Sequence, residues 1–314
     1  MRLTPSAPET DSTSHGAILN AMTVDVEDYM HVSAFAKVIR RDQWDRYELR
    51  VERNTHRLLD LFETHNVHAT FFVLGWVAQR CPDLIREIAA RGHEVASHGM
   101  THELVYHQTP DVFQKETALS KRILEDLVQA PVTGYRAASY SITHASLWAL
   151  DILAELGFEY DSSIFPVHHD RYGIPDARIE PHVINTAGGK RIVEFPLTTK
   201  DIFGYRLPVA GGGYFRIFPY GVTRAAFRSI GQKELRPFIF YLHPWEIDPG
   251  QPRIKASLLS RLRHYTNLSR CEARLGRLLT EFRFGTVRES LSRAGLEPGA
   301  ACRLTTDFKP VLAG

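Results

Sequence analysis

The chain has 314 residues, 44% of them hydrophobic and 24% charged, which is the balance of a globular protein with a large buried core. Its 38 basic and 36 acidic side chains leave a net charge of +2, which by itself argues neither for nor against a polyanionic partner. We expect no nucleic acid partner. No run of about 18 apolar residues occurs, so we expect no membrane-spanning helix.

The N-terminal segment is polar, and we expect residues 1–20 to form a disordered tail without a signal peptide. The three cysteines, Cys81, Cys271 and Cys302, are scattered, which is typical of free thiols in a reducing compartment. These features predict a cytoplasmic protein whose oligomeric state stays open.

Apolar runs and helical patterns then alternate along the chain. AILNAMTVDV (17–26) predicts a strand, Asn54 to His65 a helix, and VHATFFVL (67–74) a buried strand. A helix from Pro82 to Gly92 precedes the strand HEVASH. A helix over 109–129, the short strand VTGYR, a helix over 143–156 and the strand FEYDSS follow. This order indicates βα units and a parallel sheet or barrel.

The pattern changes after residue 177. Residues 178–197 predict a hairpin that turns at Ala187-Gly188-Gly189-Lys190. AGGGYFR (210–216) predicts a flexible segment, and FIFYLHPW (238–245) a strand. We expect residues 21–250 to form one α/β domain. Residues 251–314 should form a helical, basic C-terminal extension packed on it.

Ionisable side chains end five of the predicted strands, namely Asp25, His98, Arg136, Asp161 and His243. The carboxyl ends of the strands in a (β/α) barrel converge on one face, where active sites lie. The sequence therefore predicts one shared site at this face.

His98 and His102 are four residues apart in SHGMTH, a spacing that places two imidazoles on one side of a helical turn. A carboxylate from elsewhere would complete three metal ligands and leave room for water and substrate. In a chain with 15 histidines, such a pair also occurs by chance as a surface or capping pair.

Over about residues 21–250 the chain resembles the polysaccharide deacetylases, which carry the NodB-type homology domain of carbohydrate esterase family 4. Two motifs depart from the family pattern, with Gly99 in place of a hydroxyl residue and no proline in the third motif. The segments that carry the resemblance, in order, are TVDVED (23–28), SHGMTH (97–102), RAASY (136–140), YDSS (160–163) and Leu242-His243. The DVED opening, GGGYFR and the HPWEID segment resemble a subgroup found at bacterial exopolysaccharide loci.

The resemblance implies a distorted (β/α) barrel and a metal-dependent N-deacetylase. In this family Asp25 corresponds to the catalytic base, His243 to the general acid, Arg136 to the partner of Asp25 and Asp161 to the partner of His243. His98 and His102 correspond to metal ligands. The third ligand is Glu27 or Asp28, since strand alternation groups Asp25 with Glu27, whereas position in the motif slightly favours Asp28. Zinc is the expected metal, with cobalt, nickel or manganese as alternatives.

Three residues are candidates for substrate contacts. A backbone N–H near Tyr140 could serve as an oxyanion donor, Tyr214 could stack on a sugar ring, and Trp245 could form a wall of the acetyl pocket. Structural roles are the alternatives: a cap for Asp161, a buried ion pair for Arg136, and core positions for His243 and Trp245. The arginines of the C-terminal helices either bind phosphate on a linked glycan or form a solvated face.

These observations lead us to expect a metal-dependent hydrolase that removes N-acetyl groups from N-acetylhexosamine units of an exopolysaccharide or its precursor. The expected partner is thus a glycan, either a polysaccharide or a lipid-linked oligosaccharide. An allantoinase-like or cyclic-imidase amide hydrolase on the same fold, or a non-enzymatic carbohydrate-binding protein, are the alternatives.

Overall fold

The computed structural model describes residues 18–169 and 171–299, so most of the predicted tail, Cys302 and the end of the predicted extension lie outside the described residues. The strands are β1 (Asn20–Val26), β2 (Thr70–Val73), β3 (Glu94–Ser97), β4 (Gly134–Tyr135), β5 (Tyr160–Asp161), β6 (His182–Asn185), β7 (Arg191–Glu194), β8 (Thr199–Ile202), β9 (Tyr205–Pro208), β10 (Ile239–Leu242) and β11 (Phe284–Gly285). The helices are α1 (Val51–Thr64), α2 (Gly75–Arg80), α3 (Pro82–Ala90), α4 (Pro110–Val128), α5 (Trp148–Glu155), α6 (Gly212–Ile217), α7 (Tyr220–Ser229), α8 (Leu258–Tyr265), α9 (Leu268–Glu281) and α10 (Val287–Arg293).

The main sheet has the strand order β10-β1-β2-β3-β4-β5-β7-β6, and every neighbouring pair is parallel except β6 with β7. All seven residues of β1 are buried, because this strand is covered on both faces. Helix α1 buries Val51, Leu58, Leu59 and Phe62, a spacing that places them on one side of the helix. The predicted α/β architecture is confirmed.

The sheet curls so that its two halves approach each other through an irregular segment. The Thr198 hydroxyl bonds both the amide and the carbonyl of Ile239. The amide of Tyr241 donates to the carbonyl of Ala210, and Gly211 forms an isolated parallel bridge with Tyr241. Residues 198–211 thus bridge the gap between β7 and β10, and the barrel is distorted as predicted.

Three local predictions are corrected by the structure. AGGGYFR is not a flexible segment, because Gly212–Ile217 form α6. The helix α2 was not predicted between β2 and α3. The C-terminal extension is not purely helical, because Phe284 and Gly285 form β11, which pairs in parallel with β1. Within the described residues, no helix is long and apolar enough to cross a membrane.

Gly211 provides a test of the contact between residues 198–211 and β10. Its φ is 136°, and a Cβ there would lie 2.0 Å from the Tyr241 carbonyl oxygen. We expect Gly211→Ala to lower the free energy of unfolding by at least about 1–3 kcal/mol, measured by chemical denaturation. Gly221→Ala is the control, because its Cβ would meet nothing within 4 Å on α7. Equal stabilities of the two variants would contradict the close approach.

Candidate active site

The five predicted ionisable residues lie at the carboxyl ends of five parallel strands. Asp25 lies near the end of β1, Asp161 ends β5, and His98, Arg136 and His243 directly follow β3, β4 and β10. Asp25, His98 and His243 line a cavity of about 370 Å³. Arg136 and Asp161 are fully buried behind it. The predicted convergence is present in the structure.

Glu27, His98 and His102 form a group of three side chains, found among the described residues, that could hold a metal ion. One ligand atom from each lies within 4.8 Å of the other two. His98 Nδ1 lies 2.8 Å from the carbonyl oxygen of Arg136, so Nδ1–H donates and Nε2 keeps its lone pair for a ligand. Burial lowers the pKa of His98 to about 4, so the imidazole is neutral at physiological pH.

The carboxylate of Glu27 is the third member of this group. Burial alone would raise its pKa, but His102, His243 and His98 hold the pKa well below the usual range. Oε2 of Glu27 lies 2.8 Å from His102 Nε2, yet this buried oxygen makes no hydrogen bond of acceptable geometry. Two ring nitrogens and an ionised carboxylate oxygen that converge on one point are a donor set that fits a divalent cation.

The two histidines do not lie on a helical turn, which corrects the geometric basis of the prediction. They belong to a loop after β3 in which Gly99 has a φ of 76° and His102 a φ of 54°. The left-handed residues fold the loop back, so that the two rings lie 5.4 Å apart. The structure thus brings the two rings together, but not through the helical turn that the sequence predicted.

Asp28, which was slightly favoured over Glu27, is not part of this group. Its carboxylate accepts hydrogen bonds from the amides of Tyr29, Arg50 and Val51 at 2.8, 2.5 and 2.8 Å. The last two amides belong to the N-cap and the first residue of α1, where a carboxylate stabilises the helix end. Strand alternation groups Asp25 with Glu27, and Glu27 is the carboxylate that the structure brings beside the two histidines.

Asp25 is held by Arg136, as the sequence predicted. Arg136 Nη1 donates to Asp25 Oδ1 at 2.6 Å and to the Thr23 hydroxyl at 2.8 Å. The same guanidinium bonds the carbonyl and the hydroxyl of Ser162 and lies 4.1 Å from the centroid of the Phe72 ring. One oxygen of Asp25 is therefore fixed, and the other lies 3.9 Å from His243 Nε2.

His243 is held by Glu246 and not by Asp161, which corrects a second prediction. Glu246 Oε1 lies 2.8 Å from His243 Nδ1, and Glu246 Oε2 accepts from Arg216 Nε at 2.5 Å. Burial alone would lower the pKa of His243, but Glu246, Glu27 and Asp25 raise it to about 9. His243 also stacks on Trp245, with ring centroids 5.0 Å apart.

Glu246 could have been found from the sequence, because it follows His243 by three residues in HPWE. That spacing is typical of a capping box, and the structure has one: Glu246 Oε1 also accepts the amide of His243 at 3.1 Å. Arg216 carries no comparable signal, because its contact with Glu246 depends on the position of α6.

Asp161 instead forms a buried pair with Glu194, its register partner on β7. The two carboxyl groups lie side by side on neighbouring strands, and the Ser163 hydroxyl donates to Asp161 at 2.6 Å. Burial raises the pKa of Asp161 to about 6, and burial together with the charge of Asp161 raises the pKa of Glu194 well above its usual range. Such a pair shares one proton over a wide pH range.

All three predicted substrate contacts lie on the wall of the cavity, with Tyr140, Tyr214 and Trp245 among its lining residues. The amide of Tyr140 donates to the carbonyl of Ala137 at 3.1 Å, so this N–H already has an acceptor. Trp245 Nε1 donates to Glu27 Oε1 at 3.3 Å. Tyr172 and Tyr241 also line the cavity and were not predicted.

Residues 42–160 match the family model described as Polysaccharide deacetylase, and residues 162–292 match Domain of unknown function (DUF3473). We therefore assign the segment 42–160 to a similarity with polysaccharide deacetylases. The first match begins after Asp25 and Glu27, and the second includes His243 and Glu246. The candidate site therefore takes residues from both matched segments and from the strand before them.

Known proteins agree with this assignment over part of the chain. A chitooligosaccharide deacetylase from Rhizobium leguminosarum bv. trifolii is 34% identical over 115 residues, which are 36% of this chain and 49% of that protein. The chain thus spans about half the length of the curated relatives it matches first.

Two crystal structures share the fold. A Mycobacterium smegmatis protein classed as a polysaccharide deacetylase has a TM-score of 0.59 and 20% identity, covering 99% of this chain and 100% of its own. Puue allantoinase has a TM-score of 0.56 and 17% identity, covering 88% of this chain and 89% of its own. Both likenesses concern the fold alone.

The Asp161–Glu194 pair predicts an unusual pH dependence. Both carboxyl groups bind protons more tightly in the folded than in the unfolded protein, so stability falls as pH rises above about 4. Glu194→Gln keeps a hydrogen-bond donor to Asp161 without an ionisable group. We expect it to stabilise the protein at mildly alkaline pH by on the order of 1–3 kcal/mol, and the gain should vanish below about pH 4.

Chemical denaturation at a series of pH values measures this effect. The control is Glu155→Gln, an exposed position on α5 that should show no such trend. A stability loss in Glu194→Gln that is the same at every pH would show that no shared proton is involved.

Proposed function

We propose that this chain is a metal-dependent hydrolase that removes N-acetyl groups from N-acetylhexosamine units of an exopolysaccharide or its precursor. One observation carries the proposal: Glu27, His98 and His102 share a cavity with Asp25 and His243. A cation site beside a carboxylate and a cationic imidazole is the combination that amide hydrolysis needs. The partial match to deacetylase relatives supports the same reaction class.

Glu27, His98 and His102 would hold the cation. Two neutral imidazoles and one carboxylate leave a divalent ion with a net positive charge, and this donor set favours zinc, with cobalt, nickel or manganese as alternatives. Bound there, the ion would supply Lewis acidity toward the acetamide carbonyl and toward water. Trp245 keeps Glu27 in place through its indole N–H.

Asp25 and His243 would move the protons. The free oxygen of Asp25 accepts a proton from water as the water oxygen bonds to the acetyl carbon, while Arg136 holds the other oxygen. His243 Nε2 donates a proton to the amide nitrogen as the carbon–nitrogen bond breaks, which leaves acetate and a free amine. The raised pKa of His243, about 9, keeps the imidazole protonated at neutral pH for this step.

The cavity wall supports a glycan as the substrate. Tyr140, Tyr172, Tyr214, Tyr241 and Trp245 supply ring faces and edges of the kind that pack against pyranose rings. Exposed residues at the cavity edge, among them Arg171 and Arg263, leave it open to solvent. An open aromatic cavity admits one unit of a longer chain, which favours a polysaccharide or a lipid-linked oligosaccharide.

An allantoinase-like or cyclic-imidase reaction is the second candidate, and the shared fold with Puue allantoinase is the observation that favours it. A small cyclic imide would be better bound by a closed pocket than by an open one. A carbohydrate-binding role without catalysis would need neither the Asp25–Arg136 pair nor the Glu246–His243 pair. The deacetylase proposal accounts for both pairs.

We also propose a cytoplasmic location for this activity. Cys81 and Cys271 are buried free thiols, which suits a reducing compartment. Burial raises the pKa of Cys81 to about 11, so this thiol stays protonated and unreactive.

Metal content distinguishes the ligands. Glu27→Gln, His98→Ala and His102→Ala should each remove most of the bound metal, because two remaining ligands hold it weakly. Asp28→Asn, the matched control for Glu27→Gln, should keep the metal and lose stability, since Asp28 caps α1. Metal per protein is measured by mass spectrometry after dialysis. Loss of metal in Asp28→Asn with retention in Glu27→Gln would reverse the assignment.

An acetate-release assay tests the function itself. Acetate release is measured with N-acetylated polysaccharide, lipid-linked oligosaccharide and nucleotide sugar. Ring opening is measured with allantoin and a cyclic imide. Metal-stripped protein is the control for both measurements. Asp25→Asn should keep the metal and abolish turnover, because it removes the base but no ligand. His243→Ala should also keep the metal and lose roughly 10²–10⁴-fold in rate.

The variant Glu246→Gln distinguishes the orientation of the His243 imidazole from its role as a proton donor. It should lower kcat less than His243→Ala does, with KM nearly unchanged, because the imidazole remains but its orienting carboxylate is lost. Ring opening of the imide without acetate release from any glycan would replace the deacetylase proposal with the second candidate.

A further inference from the structure

A basic stretch follows the candidate site in the chain. Residues 249–271 contain no Asp or Glu. The five Lys and Arg side chains of this stretch make no ion pair with any other described residue. They are Arg253, Lys255, Arg261, Arg263 and Arg270, and all five are exposed. By contrast, the exposed Arg57 pairs with Glu272 and the exposed Arg277 with Glu281.

Large apolar side chains point to solvent among these cations. Leu258, Leu259 and Leu262 of α8 are 71%, 57% and 56% exposed. Ile217 of α6, which packs against α8, is 45% exposed. Soluble proteins rarely leave leucines at i, i+1 and i+4 of one helix uncovered unless they contact something else.

Apolar and cationic groups also meet in a shallow groove on this side of α8. The groove has a volume of about 240 Å³. Its lining includes Arg253, Leu258, Arg261, Leu262 and Tyr265, and the Arg253 guanidinium lies 4.3 Å from the centroid of the Tyr265 ring. We call the surface formed by Ile217, Arg253, Lys255, Leu258, Leu259, Arg261 and Leu262 the α8 face.

The α8 face adjoins the opening of the candidate active site. Ile217 and Arg263 are among the residues that line the catalytic cavity. A partner bound to the α8 face would therefore lie next to the opening through which a substrate enters.

We propose that the α8 face docks on the surface of an anionic lipid bilayer. Uncompensated Lys and Arg side chains beside exposed leucines are the chemistry by which helices bind in the plane of such a surface. Charge complementarity favours an anionic bilayer over a second copy of the chain, because a two-fold contact would place the same cations opposite one another. Docking would hold the cavity at the membrane surface, where lipid-linked or membrane-bound glycans are found.

Sedimentation of the full chain with lipid vesicles tests the proposal, without substrate or metal, so its outcome does not depend on the proposed function. Vesicles of phosphatidylcholine with phosphatidylglycerol should bind the protein, and added salt should weaken the binding. Vesicles of phosphatidylcholine alone should bind it far less. Each basic residue near such a surface contributes about fivefold in affinity, so the triple variant Arg253→Glu, Lys255→Glu, Arg261→Glu should bind at least about 100-fold more weakly.

A second variant tests the exposed leucines of the α8 face. The charge variant and the leucine variant each have a matched control. Leu258→Ser, Leu259→Ser, Leu262→Ser should also release the protein from the vesicles. The control for charge is Lys115→Glu, Arg122→Glu on α4. The control for apolar surface is Phe203→Ser, Tyr205→Ser at the β8–β9 turn, where the two rings are 98% and 82% exposed. Both controls should bind as the wild type does, and circular dichroism confirms that every variant is folded.

Two results would overturn the proposal. One is equal binding of the wild type and both α8-face variants to anionic vesicles, or no binding by any of them. The other is absence of vesicle binding together with a self-association, seen in analytical ultracentrifugation, that the leucine variant abolishes. That second result would make the α8 face an interface between copies of the chain.

Discussion

The parallel pairing of β1 with both β10 and β2 is the constraint on which the candidate site depends. Val24 is opposite Leu242 on one side and Phe71 on the other, so Asp25 and Glu27 emerge beside His243 and near the loop after β3. Because side chains alternate along a strand, a shift of one residue in this register would turn both carboxylates to the opposite face. The complete burial of β1 makes such a shift costly, and the relative position of Asp25 and His243 thus depends on the packing of an apolar strand.

A chain of buried charges within the second matched segment holds His243 in place. Arg216 on α6 is held by the carbonyls of Arg263, His264 and Thr266 and donates to Glu246, which in turn holds His243. Removing one member of such a chain leaves an uncompensated buried charge, which costs about 3–5 kcal/mol. The C-terminal end of α8 and the residue that follows it therefore contribute to the geometry of the candidate site. This dependence explains why the segment matched by the domain of unknown function is part of the site and not an appendage.

Features that depend on local sequence were predictable, and features that depend on distant contacts were not. Periodicity and glycine caps located most strands and helices, and the residues at strand ends identified Asp25, His98, Arg136 and His243. Alternation along β1 also identified Glu27, but position in the motif was given more weight and led to Asp28. The partner of His243 was sought on a neighbouring strand, whereas Glu246 lies one turn further along the same segment. The helix at Gly212–Ile217 and the strand at Phe284–Gly285 form because Tyr241 and β1 lie beside them, and no short-range pattern encodes that contact.

The wall of the cavity differs from its floor in backbone conformation. The floor comes from rigid parallel strands, whereas His102, Ser139 and Tyr140 on the wall have left-handed backbones with φ of 54°, 50° and 56°. Such conformations cost on the order of 1–3 kcal/mol each for residues other than glycine and persist only where surrounding contacts enforce them. Those contacts are present, because Ser139 bonds the Ser33 hydroxyl at 2.7 Å and the Tyr140 ring packs edge-on against Tyr241 at 5.1 Å. Three of the eight left-handed residues other than glycine among the described residues thus lie on the cavity wall, and none of the eight lies in a strand.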